Sequence, residues 1–544
     1  MNTKKIITPI VVSLVAILGF VVGSVLSSNV SQHNQKVSQL SVDGKLDLLL
    51  NLIELQYVDT VDRDDLVESA IPKILAELDP HSVYIPAEDL QIVNDDLDDS
   101  FSGIGVQFNI QKDTIMIVSV ISGGPSEKLG ILPGDRIVTV DDSLFVGSSI
   151  SNDKVMKRLR GPKGSVVKVG IKRSSSDELL SFEIERGDIP LHSVDAAYLL
   201  KSGVGYVKVS KFGSATYDEF VEALTNLRID GAERYIIDLR GNSGGYLESV
   251  ILMTNEFLKK DDLIVYTEGK SEKRREAFAD GRGAFVKAPI AILIDEWSAS
   301  ASEIFAGAIQ DNDRGIVVGR RSFGKGLVQQ QIPLRDGSAI RLTIARYHTP
   351  SGRCIQKPYS DKNEYDMDIL NRYLHGEMDD ADSIKTMPDS LKFFTAKGRI
   401  VYGGGGISPD YFVPRDTIEA TSYYTKIYNS GLLYDYSFEY VDKNRKKLAE
   451  FKDLSSLSDF LSKQNFAEEL AKFAKTKGVV KDNEMFERSK LLMQNRVEAY
   501  ISRSVLGDSA FYPIFNEKDE VIRTALQKLL NEPSLPSVAN FNIK

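Results

Sequence analysis

The sequence predicts a multidomain α/β protein: an apolar N-terminal segment, a small helical region, a β-rich module, an α/β core and a helical C-terminal extension. Three observations carry this expectation. The chain has 544 residues, too many for one hydrophobic core at roughly 100 to 200 residues per domain. Its apolar period changes along the chain, from helical spacing to short strands, then to strands separated by helices, and back to helical spacing. Its composition, 42% hydrophobic and 26% charged, belongs to folded globular domains and excludes both a disordered chain and a multi-span membrane protein.

The elements follow in order. Lys4 and Lys5 precede an uncharged run at residues 6–26, which as a helix would span about 31 Å, the thickness of a bilayer core. The basic flank places the N-terminus inside and everything after Ser27 across the membrane. The length favours a retained anchor over its alternative, a cleaved signal peptide. No cysteine follows the run, which excludes a lipoprotein anchor. Residues 1–27 are thus anchor or signal. Residues 28–90 are a polar tether and two helices, one on the period Leu46, Leu48, Leu49, Leu50, Ile53, Leu55 and one over 64–78. Asp95, Asp96, Asp98 and Asp99 lack the ligand spacing, turn glycine and closing glutamate of a Ca²⁺ loop and read as a solvated loop.

Residues 91–188 switch to short strands, GIGVQFNI, IMIVSVI, RIVTV, VVKVGIK and LSFEIE, separated by glycine-rich turns. Residues 189–415 begin with GYVKVSKF, TYDEFVEALTNLRI and YIIDLR, a βαβ unit and hence a parallel sheet with a right-handed crossover. Within them 361–399 reads as a polar, irregular insertion, and GGGGISPDYFVP at 403–414 closes the region. Residues 416–544 return to helical periodicity with many Lys, Glu and Asp, and carry no chemical motif.

Charge and cysteine content narrow the chemistry. With 67 basic and 77 acidic residues the net charge is −10, which repels a phosphate backbone and excludes a nucleic-acid partner in favour of protein or small molecule. The single Cys354 forbids an intramolecular disulfide, and five scattered histidines form no zinc cluster, so no metal site is expected.

Two segments carry candidate catalytic groups. In DLRGNSGG (238–245) a strand runs into a glycine turn and then a helix near Tyr246. Backbone N–H groups there could face an oxyanion or phosphate; the alternative is a plain tight turn. In EWSASASEIFAGAIQDN, Ser298, Ser300 and Ser302 alternate with alanine at a helix start, where hydroxyls and free N–H donors coincide, although a helix-start serine is more often a cap. Lys325 in SFGKGLVQ is flanked by two glycines. A desolvated lysine can serve as the base a serine needs, and a plain Gly-Lys-Gly turn is the alternative. Among the histidines, His348 in YHTPSG is the nearest rival base.

Residues 40–415 resemble the carboxy-terminal processing peptidases, or tail-specific proteases, Ser/Lys serine peptidases with an embedded PDZ domain. DLRGNSGG, SASASEIFAGAIQDN, GRRSFGKGLVQ, LTIARYHTPSGRCIQ and GGGGISPDYFVP occur in family order. The resemblance implies a crotonase-like α/β peptidase core without a cofactor, Ser300 as nucleophile, Lys325 as base, Gln329 as its orienting partner and Asp311 as an accessory acid. It implies an oxyanion hole from the N–H groups of Ala301 and of Gly244 or Gly245. The β-rich module resembles a PDZ domain, with SGIGV in the place of the carboxylate loop. There Gly103, Ile104, Gly105 and Val106 would grip a free C-terminus while the tail adds a strand to the module's edge.

The expected function is a cell-envelope endopeptidase, on the periplasmic or extracytoplasmic side and anchored in the inner membrane. Its partners would be protein or peptide substrates with free C-terminal tails, and the extension leaves room for a homo-oligomer. Two alternatives stay open: an inactive PDZ-containing scaffold on the same fold, and a periplasmic carrier of apolar ligands.

Overall fold

The computed structural model describes residues 44–95, 100–111, 113–121, 123–173, 176–200, 202–383 and 388–531; the apolar run at 6–26 and acidic residues 96, 98 and 99 lie outside them. Among the described residues no helix is long and apolar enough to cross a membrane. The chain divides into two units, Met1–Tyr84 and Ile85–Lys544. The first holds α1 (Lys45–Gln56) and α2 (Arg63–Leu75). Asp62 caps α2 by accepting from the Asp64 N–H at 2.8 Å. That helix stops at Leu75, short of the expected 78, before the Asp79-Pro80 step that disfavours helix. Strand β1 (Val83–Ile85) lies at the junction.

The second unit opens with α3 (Ala87–Asp95) and then the β-rich module. Its short pair is β2 (Ser100–Gly103) with β9 (Gly187–Pro190). Its sheet runs β3 (Val106–Gln111), β4 (Thr114–Val120), β5 (Arg136–Val140), β7 (Val166–Lys172), β8 (Leu179–Glu185), with β6 (Ser143–Leu144) on β5. Each expected strand is present. Ile115, Ile117, Ile137, Val169 and Ile171 pack with Val155 and Leu159 of α5 (Asn152–Leu159), which follows the four-residue α4 (Pro125–Lys128). Among the described residues β3 ends the sheet and pairs only with β4, so that no described strand pairs with its outer edge.

The α/β core is built on a six-stranded sheet of β10 (Val194–Leu200), β11 (Val204–Val209), β12 (Arg234–Asp238), β15 (Ile290–Ile294), β16 (Ile316–Gly319) and β21 (Tyr411–Phe412). From β11 to β21 all pairings are parallel, as the βαβ reading required. Alternate residues are buried on opposite faces. Tyr235, Ile237, Ile290, Ile292 and Ile294 meet α6 (Thr216–Ile229), α7 (Leu247–Asn255) and α8 (Ala301–Asp311). Ile236, Ala291, Leu293 and Val318 meet Val521, Ile522, Ala525 and Leu529 of α16 (Glu520–Asn531). The last described helix therefore covers the second face of the α/β core. A second sheet holds β13 (Leu263–Glu268), β14 (Arg275–Phe278), β17 (Leu327–Pro333) and β18 (Ala339–His348).

Residues 361–399, expected to be irregular, hold α9 (Lys362–Leu374) and β19 (Lys392–Phe394), which pairs with β20 (Ile400–Tyr402). Two of its buried polar residues tie it to the core: Arg372 donates to the carbonyls of Arg321 at 2.6 Å and Ser322 at 3.1 Å, and Glu377 accepts from Arg321 at 2.6 Å. The helical extension comprises α10 (Ser422–Asn429), α11 (Leu432–Leu448), α12 (Leu454–Leu461), α13 (Phe466–Thr476), α14 (Asn483–Leu506) and α15 (Asp508–Phe515), with Phe486, Met493 and Val497 of α14 at its centre. It reaches the β-rich module through Arg136–Asp435 at 2.5 Å and Arg503 to Gln107 at 2.8 Å.

Candidate active site

The site forms where three loops meet the start of α8. β15 ends in a turn in which Ser298 donates to the Leu239 carbonyl at 2.9 Å, and Ser302 donates to the Asn242 carbonyl at 2.8 Å. Both flanking serines are fully buried and consumed in fixing α8 to the DLRGNSGG loop. Ser300, half-buried between them, occupies φ +54° and ψ −113°. A non-glycine residue there is strained by about 1–3 kcal/mol and persists only when its neighbours over-determine it.

Glu303 and Tyr347 are those neighbours. Glu303 is fully buried and its Oε2 accepts the N–H of Ser300 at 2.9 Å and of Lys325 at 2.9 Å. Its Oε1 accepts from Ser322 Oγ at 2.5 Å and Gly324 N–H at 2.7 Å. The Tyr347 hydroxyl faces the Ser300 carbonyl at 3.1 Å and the Lys325 carbonyl at 2.6 Å. One carboxylate oxygen and one phenol thus hold the backbones of residues 300 and 325 side by side. Two bonds to one oxygen keep the two amide nitrogens within twice the length of either. Burial pushes the Glu303 carboxyl up to about 7, against the pull of its four donors. Burial also drives the Tyr347 phenol well above its ordinary value.

Lys325 Nζ donates to Gln329 Oε1 at 3.1 Å. Gln329 sits where the β17–β18 register shifts, pairing with Thr343 while Val328 pairs with Ala345; a bulge of this kind re-aims side chains. On the opposite side, Gly244 lies so close that a Cβ would stand 2.7 Å from Ser300 Cβ, and a Cβ on Gly245 would stand 2.1 Å from the Phe212 carbonyl oxygen. Only glycine fits either position. The Gly244 N–H donates to Asn242 Oδ1 at 2.8 Å. Among the described residues, the N–H groups of Gly245 and Ala301 meet no acceptor. Behind the loop, burial would raise the Asp238 carboxyl, but Arg240 and Lys208 hold it well below the usual carboxylate range. Arg240 reaches on to Asp519 at 2.8 Å.

Ser300, Lys325, Gln329, Ala301 and the Gly244–Gly245 pair are therefore brought together. Asp311 is not. It closes the other end of α8, roughly 16 Å from Ser300 at 1.5 Å per residue, where it pairs with Arg353 at 2.8 Å and accepts the Ser351 N–H at 3.1 Å. His348 stacks on Tyr266 at 4.6 Å and faces the Gly352 carbonyl at 3.1 Å, apart from this cluster. In the β-rich module Gly103 ends β2, Ile104 is buried, Gly105 takes φ +76° and Val106 opens the edge strand β3. Sequence reading missed the roles of Glu303 and Tyr347. The Ser-x-x-Glu spacing of 300 and 303 is the capping-box signal that could have marked the first; nothing local marks Tyr347.

Comparison with known proteins then defines the class. Residues 203–366 match peptidase family S41, 102–185 a PDZ domain, 22–89 the N-terminal domain of the activating protease CtpB, and 423–507 a family of unknown function. The carboxy-terminal-processing protease of Bartonella bacilliformis is 34% identical over 61% of this chain and 76% of its own length. The carboxy-terminal processing protease CtpB of Bacillus subtilis is 39% identical over 58% of this chain; the chain spans 65% of that relative's length. A solved photosystem II D1 C-terminal processing protease is 29% identical, covering 56% of this chain and 83% of that one, with a TM-score of 0.34. The chain thus carries a domain of peptidase family S41. It belongs to the carboxy-terminal processing proteases.

Proposed function

We propose that the protein cleaves polypeptides from a Ser300–Lys325 dyad after its PDZ domain has taken up their C-terminal tails, on the extracytoplasmic side of a membrane anchored by residues 6–26. The observation that carries the dyad is the shared bracket of Glu303 and Tyr347 on the backbones of residues 300 and 325. Ser300 Oγ attacks the scissile carbonyl while neutral Lys325, oriented by Gln329, takes its proton. The oxyanion falls to the N–H groups of Ala301 and Gly245. Lys325 returns the proton to the leaving amine, and water hydrolyses the acyl-enzyme. The basic flank and 21-residue apolar length of the N-terminal run support the anchor.

The carboxylate loop Gly103–Val106 at the head of an unpaired strand edge supports tail reading. Hydrogen bonds from several N–H groups to a carboxylate contribute about 1.5–3 kcal/mol each, and amidation removes the charge. A peptide with a free apolar C-terminus should bind and be cut better than its amidated twin, with cut sites mapped by mass spectrometry. Equal cleavage of both would leave the dyad standing and remove the tail-reading role.

A further inference from the structure

The unpaired edge of β3 does not end at the PDZ domain. Beyond its C-terminal half lies a cleft of about 550 Å³ between Asn109, Ile110 and Gln111 on one side and Tyr428, Ser430 and Tyr434 of the helical extension on the other. Among the described residues no charged side chain lines it. Gln111 is 7% exposed, and its Oε1 is held by Arg136 at 3.3 Å. Its Nε2, buried at the wall of this cleft against Gly431, has no acceptor among the described residues. A buried amide donor without an acceptor costs about 1–3 kcal/mol. Such a group is conspicuous where a ligand carbonyl would relieve it.

Strand geometry says which ligand arrives there. A tail whose carboxylate is gripped at Gly103–Gly105 runs antiparallel along β3, its last residue opposite Val106 and each earlier residue one position further along the strand. Its fifth and sixth residues from the end then stand opposite Ile110 and Gln111, at the mouth of the cleft. We infer that the helical extension supplies an upstream subsite for the substrate tail, in which the Gln111 amide donates to a main-chain carbonyl of the fifth or sixth residue from the C-terminus. The inference rests on the tail-reading role proposed above. It gives the extension a part in recognition that a PDZ domain alone does not have.

The test measures binding of fluorescent peptides to the full chain carrying Ser300→Ala, which cannot turn them over. Four- and eight-residue peptides with the same free C-terminal residues are compared with their amidated forms. The eight-residue free peptide should bind about tenfold tighter than the four-residue one, the scale of one or two net hydrogen bonds. Gln111→Met, which removes the donor and keeps the shape, and Ser430→Trp, which fills the cleft, should each abolish that gain and leave four-residue binding unchanged. Unchanged short-peptide binding also reports an intact PDZ domain in both variants. A preference for free over amidated ends with no gain from length, or a gain that survives both variants, overturns the subsite alone. Loss of the preference for free ends at both lengths overturns the tail-reading role and the subsite with it.

Discussion

Ser300 keeps a strained backbone because Glu303 and Tyr347 hold it there, and its two serine neighbours are already occupied. Ser300→Ala should abolish proteolysis with little change in Tm, since the Cβ and the backbone bonds remain. Ser302→Ala loses the buried bond to the Asn242 carbonyl, and Ser298→Ala loses both its bond to the Leu239 carbonyl and the one it accepts from the Asp295 N–H; at about 0.5–1.5 kcal/mol per bond, each should lower Tm while keeping activity. A dead Ser302→Ala beside an active Ser300→Ala would put the nucleophile in the wrong register. Lys325→Arg should be inactive, because a guanidinium cannot give up its proton at workable pH. Glu303→Gln turns an acceptor into a donor facing two other donors and should cut kcat/KM at least tenfold.

Glu303 also sets two pH dependences of opposite sign. Its protonation near pH 7 removes an acceptor from a carboxylate with four donors, so the acid limb of kcat/KM should fall in that region in the wild type. Its folded pKa is raised from an ordinary 4.5 to about 7, so the folded state holds the proton more tightly. Glu303 therefore costs no stability below about pH 4.5; the cost grows as pH rises from 4.5 towards 7 and reaches about 3 kcal/mol above that. Chemical denaturation of wild type and Glu303→Gln across pH 4 to 8 would show the slope in the first and its absence in the second. Ser300 and Lys325 stood out as candidates because the Ser-Ala alternation and the glycine-flanked lysine are local patterns, and the family resemblance chose them over a helix cap and a plain turn. Tyr347 was not, because its role arises only where β18 passes beneath two loops.

At the level of elements, β3 and α16 make the sharpest predictions. Gly105 has φ +76°, and a Cβ there would stand 3.0 Å from Ile189 Cδ1. Gly105→Ala should therefore weaken tail binding and lower Tm together. Ile522 is 4% exposed on the second face of the core sheet. Ile522→Ala should destabilise the peptidase by about 2–5 kcal/mol, read by denaturant titration, although the residue belongs to the extension. Strands and the βαβ unit were readable from period alone. The helix α9 was not, because Arg372 and Lys357 within and beside it are buried by pairing with Glu377 and Asp368, and their charges mimic a solvated loop in sequence.

Across the whole second unit, the helical extension is continuous with both other parts: Arg136–Asp435 joins it to the PDZ domain and Asp519–Arg240 joins it to the loop before Gly244. Its helices were foreseen from periodicity. Its attachment was not, because the partners lie about 300 residues apart in sequence. Asp519→Ala should lower kcat more than it alters KM for short peptides, because Arg240 loses one of its two carboxylates while the PDZ groove is untouched.

The place of α16 has a further meaning in time. A ribosome delivers β10 to β16 long before it delivers residues 520–531, and until then Ile236, Ala291, Leu293 and Val318 have no cover. A chain still being made thus carries all of Ser300, Lys325 and the glycine loop without a finished sheet beneath them. The core sheet therefore gains the cover of its second apolar face only once residues 520–531 have been made and packed against it.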